Sequence, residues 1–203
     1  MRPDKILFID TETGGLDYEH DSLLSIGLVI WQDFRILDSI EIAINDGILS
    51  VSKQALDVNK INLTEHKAKA LNSKQAIDRF TNFLAAHFGA NEKITLAGHN
   101  INFDINFLRH FLLKNKFEWH QRFSHRVIDT ASILYFLYFA EQLENKSISS
   151  DDAFRLFGIT VSKRHSALGD AVATANLFSK LLRVMMKNNS LNSKQSPYEQ
   201  LNN

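Results

Sequence analysis

An apolar run near the start of the chain ends abruptly in acidic residues, and this change of character constrains the fold most. Residues 6–9 are all apolar, whereas segment 10–15 holds two acids, two threonines and two glycines. The pattern predicts a buried β-strand that ends in a turn. Asp10 and Glu12 lie two positions apart, so both carboxylates point to one face and can reach one cation. Two acids at an ordinary solvated strand end would show the same spacing.

A third acid, Asp104, lies at the start of a predicted amphipathic helix. Apolar residues recur at the three- to four-residue spacing of a helix with one buried face, at Phe103, Phe107, Leu108, Phe111 and Leu112. Asp104 falls in the first turn, where the helix dipole favours a carboxylate even without a ligand. The position therefore suits either a site residue or ordinary helix electrostatics.

His165 and Asp170 lie at the junction between a loop and the last predicted helix. That helix is indicated by apolar residues at helical spacing, at Ala171, Ala175, Phe178, Leu181, Leu182 and Met185. Asp170 therefore lies on the helix, and His165 lies just before it or in its first turn. Taken singly, such a histidine is usually structural and such an aspartate usually faces water. Here both follow Lys163 and Arg164, where a nucleic-acid backbone could be met.

Between these motifs, strand and helix patterns alternate. The first strand is expected near 5–10, and apolar alternation predicts two more near 24–31 and 34–44. A helix is predicted near 73–88 and a short buried strand near 94–97. Val127 and Ile128 predict a strand that leads into a helix with Asp129 as its N-cap, so Asp129 is not assigned to the acidic site.

Composition is typical of one intracellular enzyme domain. The chain has 203 residues, 44% of them hydrophobic, and no cysteine, which excludes thiolate zinc sites. It shows no signal-peptide pattern and no apolar stretch near the ~18 residues of a membrane span, so we expect a cytoplasmic protein without a membrane segment. We predict one domain over 1–187 and a disordered polar tail over 188–203, which is rich in Asn, Ser and Gln.

The charge balance predicts a short substrate footprint. The 23 basic and 23 acidic residues cancel, which argues against broad wrapping of duplex DNA by a basic surface. Local basic groups remain available, and we expect more than half of them only to solvate the surface: Lys53, Lys60, Lys67, Lys69, Arg122, Arg126, Lys163 and Arg164. The aromatic run 135–139 is apolar on nearly every helical face and predicts a core helix, or else a partner-docking or dimer surface.

The three motifs in this order resemble the DEDDh group of 3′→5′ exonucleases, which includes the proofreading subunits and domains of replicative DNA polymerases. The resemblance spans about residues 5–185 and is carried by segments 10–16, 99–108 and 165–170, with a looser match at 55–61. It implies an α/β, ribonuclease-H-like fold with a mixed five-stranded sheet flanked by helices. Gly14 stands where the family often has a second threonine, so only backbone contacts to the terminal nucleotide are expected there.

The resemblance also implies a site for two Mg²⁺ or Mn²⁺ ions. Asp10 would bridge both ions, Glu12 and Asp170 would complete one site, and Asp104 would serve the other. Such ions can activate an attacking oxygen and stabilise the leaving oxygen of a phosphodiester. His165 is implied to be the general base, since imidazole titrates near neutral pH. The residues implied to contact the terminal nucleotide are Thr13, Gly14, Leu16, Asn100 and Phe103.

Three functions remain open at this stage. The leading hypothesis is a metal-dependent 3′→5′ exonuclease that releases nucleoside monophosphates from single-stranded or frayed ends, on DNA in a proofreading or repair role. The alternatives are the same chemistry in RNA trimming or oligonucleotide degradation, because no residue can be assigned to reading a 2′-hydroxyl, and an inactive binding module. Expected partners are single-stranded DNA or RNA 3′ ends and a polymerase or another protein; the oligomeric state is not predicted.

Overall fold

The computed structural model describes residues 4–144, 146, 149–161 and 164–191. Its strands are β1 (Ile6–Thr13), β2 (Leu23–Gln32), β3 (Arg35–Ala43), β4 (Ile94–Gly98) and β5 (Phe123–Asp129). Its helices are α1 (Lys53–Asn59), α2 (Leu63–Lys69), α3 (Ser73–His87), α4 (Asn102–Lys114), α5 (Trp119–Arg122), α6 (Thr130–Phe139), α7 (Ser150–Leu156) and α8 (Ala167–Leu191).

The strands form one mixed sheet in the order β3-β2-β1-β4-β5. The first three strands are antiparallel neighbours, whereas β1 with β4 and β4 with β5 run parallel. Helices cover both faces, with α3 and α4 on one and α8 on the other. The predicted five-stranded α/β fold is therefore confirmed.

Strand β1 is the central strand and explains the opening apolar run. Leu7 and Ile9 pack into the core beneath α3 and α4, whereas Ile6 and Phe8 pack against α8. All four side chains are buried. A strand covered on both faces is apolar at every position, so the run loses its alternation. Polar residues begin only where β1 reaches the edge of the covering helices.

The predicted elements lie within a few residues of the observed ones, and the missed elements have a physical cause. Helix α3 begins at a capping box formed by Asn72 and Gln75, as its sequence pattern allows. Helices α1, α2, α5 and α7 were not predicted. Asn59 is the only buried residue that α1 contributes and α2 contributes none, so neither short helix has an apolar period.

Helix α6 buries one face in the core and exposes the other. Asp129 caps it by accepting a hydrogen bond from the Ala131 backbone N–H, as predicted. Leu137 is buried toward α8, whereas Phe136 and Phe139 are each 66% exposed. The prediction that the aromatic run is core is wrong for these two phenylalanines, because helical geometry turns them away from α8.

Helix α8 continues past residue 187, the predicted end of the domain. Residues 188–191 belong to α8, and residues 192–203 of the predicted tail lie outside the described residues. Within the part of the chain that the structure describes, every helix is too short or too polar to span a membrane.

Candidate active site

The four predicted acids come from three elements that meet at one end of β1. Asp10 and Glu12 lie on the last part of β1, Asp104 in the first turn of α4 and Asp170 in the first turn of α8. Oxygens of Asp10, Glu12 and Asp170 all lie within 4.8 Å of one another. Asp104 lies beside this trio, since its Oδ1 accepts hydrogen bonds of 2.8 Å from both the backbone N–H and the hydroxyl of Thr11.

Gly27 allows α8 to approach this end of the sheet. It pairs with Asp10 across β1 and β2, and a Cβ at this position would lie 2.2 Å from the carbonyl oxygen of Ala167. The atoms in the way belong to the backbone of the first turn of α8, so no side-chain adjustment could relieve the clash. The close contact sets how near Asp170 comes to Asp10.

Gly27→Ala is therefore expected to disturb the site as well as the fold. We expect a loss of about 1–3 kcal/mol in the free energy of unfolding from overpacking. Nuclease activity should fall by ~100-fold or more because Asp170 moves with α8. Urea unfolding and a nuclease assay measure the two effects. Gly89→Ala is the matched control, since its Cβ would meet nothing closer than 3.8 Å; equal effects in both variants would disprove this role of Gly27.

Burial raises the pKa values of all four carboxyl groups, and repulsion within the cluster adds to the shift for Asp10 and Glu12. Burial raises the pKa of Glu12 to about 8, with a further contribution from Asp170. Burial raises the pKa of Asp104 to about 7, although its hydrogen bonds from Thr11 oppose the shift. The pKa of Asp10 is raised well above its ordinary value by burial and then by Asp104 and Asp170. A cluster of oxygen donors that repel one another in this way fits a hard divalent cation such as Mg²⁺ or Mn²⁺.

These shifts predict that the metal-free protein loses stability as pH rises. Glu12 and Asp104 titrate near 8 and 7 in the folded protein but near ~4.3 and ~3.9 when unfolded. The folded state therefore binds more protons, so stability is full below the unfolded values and falls as pH rises through the folded ones. Urea unfolding in EDTA from pH 5 to 8 should show this decline.

The Glu12→Gln variant is the control for this decline, because it lacks one of the two titrating groups. Its free energy of unfolding should depend less on pH over the same window. Added Mg²⁺ should restore wild-type stability most at pH 8, where the carboxylates are ionised. A wild-type stability that rises with pH in EDTA would contradict the assigned shifts.

His165 lies half-buried at the start of α8, where the sequence predicted it. Its backbone is left-handed, with φ at +60°. This conformation is uncommon for a residue with a side chain and indicates local strain held by the surrounding structure. Burial raises the pKa of Asp170, whereas Arg164 and a backbone hydrogen bond from His165 oppose this shift. His165 and Asp170 are thus in direct contact at the start of α8.

A cavity of about 540 Å³ opens beside the acids. Of the residues predicted to contact a nucleotide, Thr13, Leu16 and Phe103 line it. The Leu16 side chain is 86% exposed, so it projects from the wall instead of packing inside the protein. The opposite wall comes from α1, which adds Gln54, Ala55, Val58 and Asn59. Sequence patterns alone missed this wall, and only the loose resemblance at 55–61 pointed to it.

Gly14 and Asn100, the other two predicted nucleotide contacts, do not line this cavity. Gly14 packs against a neighbouring loop, and a Cβ there would lie 2.0 Å from the carbonyl oxygen of Ser50. This contact explains why glycine replaces the expected threonine. Asn100 lies in the turn before α4, and its backbone N–H donates to Asp129. Contacts from these two residues to a nucleotide remain predictions.

Asn59 is a positioning residue that sequence analysis did not single out. Its side chain is buried, and Nδ2 donates a 3.1 Å hydrogen bond to the carbonyl oxygen of Thr13. Its Oδ1 accepts from the backbone N–H of Ile61. The asparagine therefore ties the end of α1 to the end of β1, which are the two walls of the cavity.

Two of the basic residues considered for a substrate footprint, Arg122 and Arg164, contact other parts of the protein. Arg122 donates to backbone carbonyl oxygens that include those of Phe88 and Ala90. Arg164 pairs with Asp170 of the acidic cluster, at 2.5 Å between Nη1 and Oδ1. Lys163 lies outside the described residues. The structure thus assigns Arg122 a structural contact and brings Arg164 into the site.

Comparison with known proteins agrees with this geometry. The RNase_T family model, described as an exonuclease, matches residues 7–178. The DNA polymerase III PolC-type protein of Thermotoga petrophila is 29% identical over 180 residues, which are 88% of this chain but only 12% of that protein. Ribonuclease T of Wigglesworthia glossinidia brevipalpis is 27% identical over 185 residues, covering 86% of this chain and 82% of that protein.

A solved structure extends the comparison to the fold. The zinc-ion-bound complex of E. coli ExoI with ssDNA superposes with a TM-score of 0.75 and 18% identity, over 92% of this chain and 42% of that one. The overlap confirms the predicted ribonuclease-H-like arrangement, and the matched family confirms the predicted resemblance. Because the family model matches most of this chain, the chain belongs to the RNase_T family of exonucleases.

Proposed function

We propose that the protein is a divalent-cation-dependent 3′→5′ exonuclease that releases nucleoside monophosphates from single-stranded or frayed DNA ends. The observation that carries the proposal is the convergence of Asp10, Glu12 and Asp170, with Asp104 beside them, next to a cavity with an apolar rim. Their raised pKa values support binding of cations over solvation by water. An inactive binding module would have no need to hold acids so close together in a partly buried cluster.

In this mechanism Asp10, Glu12, Asp104 and Asp170 are the residues that would hold the divalent cations. When bound, the cations supply Lewis-acid stabilisation of the charge that accumulates on the scissile phosphate. Thr11 keeps Asp104 oriented toward the cluster through its two hydrogen bonds. His165 accepts the proton of the attacking water.

Substrate binding is assigned to the cavity between β1 and α1. Leu16 and Phe103 offer apolar surface to the terminal base, which must leave its stack to enter. Such a requirement favours single strands and frayed ends over intact duplexes. The ssDNA held by the structural relative supports DNA as the substrate.

RNA trimming is the second candidate, since the Ribonuclease T relative matches over most of its own length. A polymerase is the proposed protein partner, on the strength of the PolC-type relative, in which the matched region is a small part of a larger chain.

One assay tests substrate class and polarity together. Single-stranded DNA, single-stranded RNA, duplex DNA and a dinucleotide, each labelled at the 5′ end, are incubated with Mg²⁺ and resolved by length. We expect a ladder that shortens from the 3′ end, fastest on single-stranded DNA and absent in EDTA. Faster cleavage of RNA would select the second candidate, and immediate release of the labelled 5′ nucleotide would exclude a 3′→5′ enzyme.

A further inference from the structure

Arg164 connects the acidic cluster to α7. Its Nε donates a 2.7 Å hydrogen bond to Asp151, and its Nη2 donates a 2.9 Å hydrogen bond to the Ser150 hydroxyl. The guanidinium carbon lies 5.4 Å from the centre of the Phe154 ring. The remaining nitrogen, Nη1, lies 2.5 Å from Asp170 Oδ1. The guanidinium group of Arg164 is thus anchored on α7 and reaches into the acidic cluster through Nη1.

This ion pair differs from an ordinary surface pair. The side chains of Arg164 and Asp170 are 27% and 9% exposed, whereas those of the neighbouring pair Arg155 and Asp152 are 76% and 52% exposed. Exposed pairs are screened by water, but a partly buried pair interacts strongly and leaves a costly buried charge when broken. The contact also lacks the alignment of a regular hydrogen bond, so Asp170 Oδ1 keeps unsatisfied acceptor capacity.

Arg164 is also a positive charge that acts on the cluster as a whole. Its guanidinium lowers the pKa values of Asp10, Glu12 and Asp170, against the larger effect of burial. Yet Asp170 is one of the three acids whose oxygens converge within 4.8 Å. A guanidinium and a divalent cation would be two positive charges a few ångströms apart, and such charges repel.

We propose that Arg164 and a divalent cation compete for the Asp170 carboxylate, so that Arg164 orients Asp170 in the metal-free protein and sets the affinity of the site for the cation. The inference rests on the proposed metal-dependent function. Ser150, Asp151 and Phe154 retain the guanidinium after the exchange, so Arg164 keeps its anchor on α7. Arg164 is in this sense a positioning residue that acts through Asp170.

Calorimetric titration with Mn²⁺ tests the competition without using activity. Arg164→Gln should bind Mn²⁺ at least about fivefold more tightly than wild type, the usual lower range of coupling between two linked sites. Arg155→Gln is the matched control, because it removes the same charge from α7 without a contact to the cluster; its affinity should stay within about twofold of wild type.

Thermal unfolding separates this role from a purely structural one. Without metal, Arg164→Gln should unfold at a lower temperature than wild type, and saturating Mn²⁺ should close most of that gap. A structural residue would lower the unfolding temperature equally with and without Mn²⁺. Equal deficits, or Mn²⁺ affinity that is unchanged or weaker in Arg164→Gln, would overturn the inference.

Two further measurements keep the test decisive. Should Arg164→Gln not fold, Arg164→Lys keeps the charge but cannot span Asp151 and Asp170 with one planar group. Its Mn²⁺ affinity should exceed that of wild type, and an affinity equal to or below wild type would overturn the inference. Failure of wild type itself to bind Mn²⁺ would overturn the proposed metal-dependent function, whereas equal binding by wild type and Arg164→Gln overturns only the competition.

Discussion

Asp10→Asn is expected to abolish hydrolysis while making the metal-free protein more stable. Asp10 is half-buried and is repelled by three neighbouring acids, so removing its charge relieves repulsion in the folded state. Loss of a cation ligand removes several kcal/mol of transition-state stabilisation, which corresponds to a fall of about a thousandfold or more in kcat/KM. Nuclease assays and urea unfolding in EDTA at pH 8 measure the two effects.

Asp170→Asn should lose activity to the same degree without the gain in stability. Its carboxylate is paired with Arg164 in the metal-free protein, and the substitution leaves that guanidinium without a charged partner inside the site. Asp78→Asn, on the exposed side of α3, is the control and should change neither property. Activity within about tenfold of wild type in either site variant would contradict its assignment as a cation ligand.

His165→Asn should reduce turnover by about 10²–10⁴-fold while leaving Mn²⁺ binding largely intact, because loss of a general base affects the chemical step. Asparagine is chosen because it tolerates the left-handed backbone seen at this position, whereas alanine would add strain. Comparison with His165→Ala therefore separates the imidazole from the backbone. Turnover and calorimetric titration are the measurements.

The pH dependence of turnover gives the sharper evidence. In wild type the rate should climb with pH and then level off, because a general base must be unprotonated to accept a proton. This climb should disappear in His165→Asn. A profile that keeps the same inflection in His165→Asn would assign the proton step to another group. Full activity in His165→Asn, with a loss only in His165→Ala, would show that His165 serves only to hold the left-handed backbone conformation.

The parts of the fold that sequence analysis predicted are those in which a local pattern reports burial. The unbroken apolar run before Asp10 predicted a buried strand, and the helical spacing after Asp104 and Asp170 predicted α4 and α8. In each case the side chains repeat with the period of the element that buries them. Helices α1 and α2 were missed because they bury almost nothing, and the aromatic side of α6 was misjudged because apolar residues do not always find cover.

The site was predicted less evenly than the fold. The convergence of four acids followed from the family motifs, since no local rule brings a strand end and two helix starts together. The α1 wall of the cavity and the inward pairing of Arg164 depend on tertiary contacts between segments far apart in sequence. A basic residue beside a motif is as compatible with a phosphate contact as with an ion pair, and only the fold distinguishes them.

The central position of β1 has a consequence for how the enzyme matures. The strand carries two of the site acids from the beginning of the chain, but it is covered on its second face only when α8 docks. Contacts between such distant segments form late because the intervening loops must close first. Helix α8, which follows β1 by more than 150 residues in the sequence, is thus the element that completes the acidic cluster. A nascent or clipped chain that ends before α8 holds no complete site, so nuclease activity arises only in molecules that have finished folding.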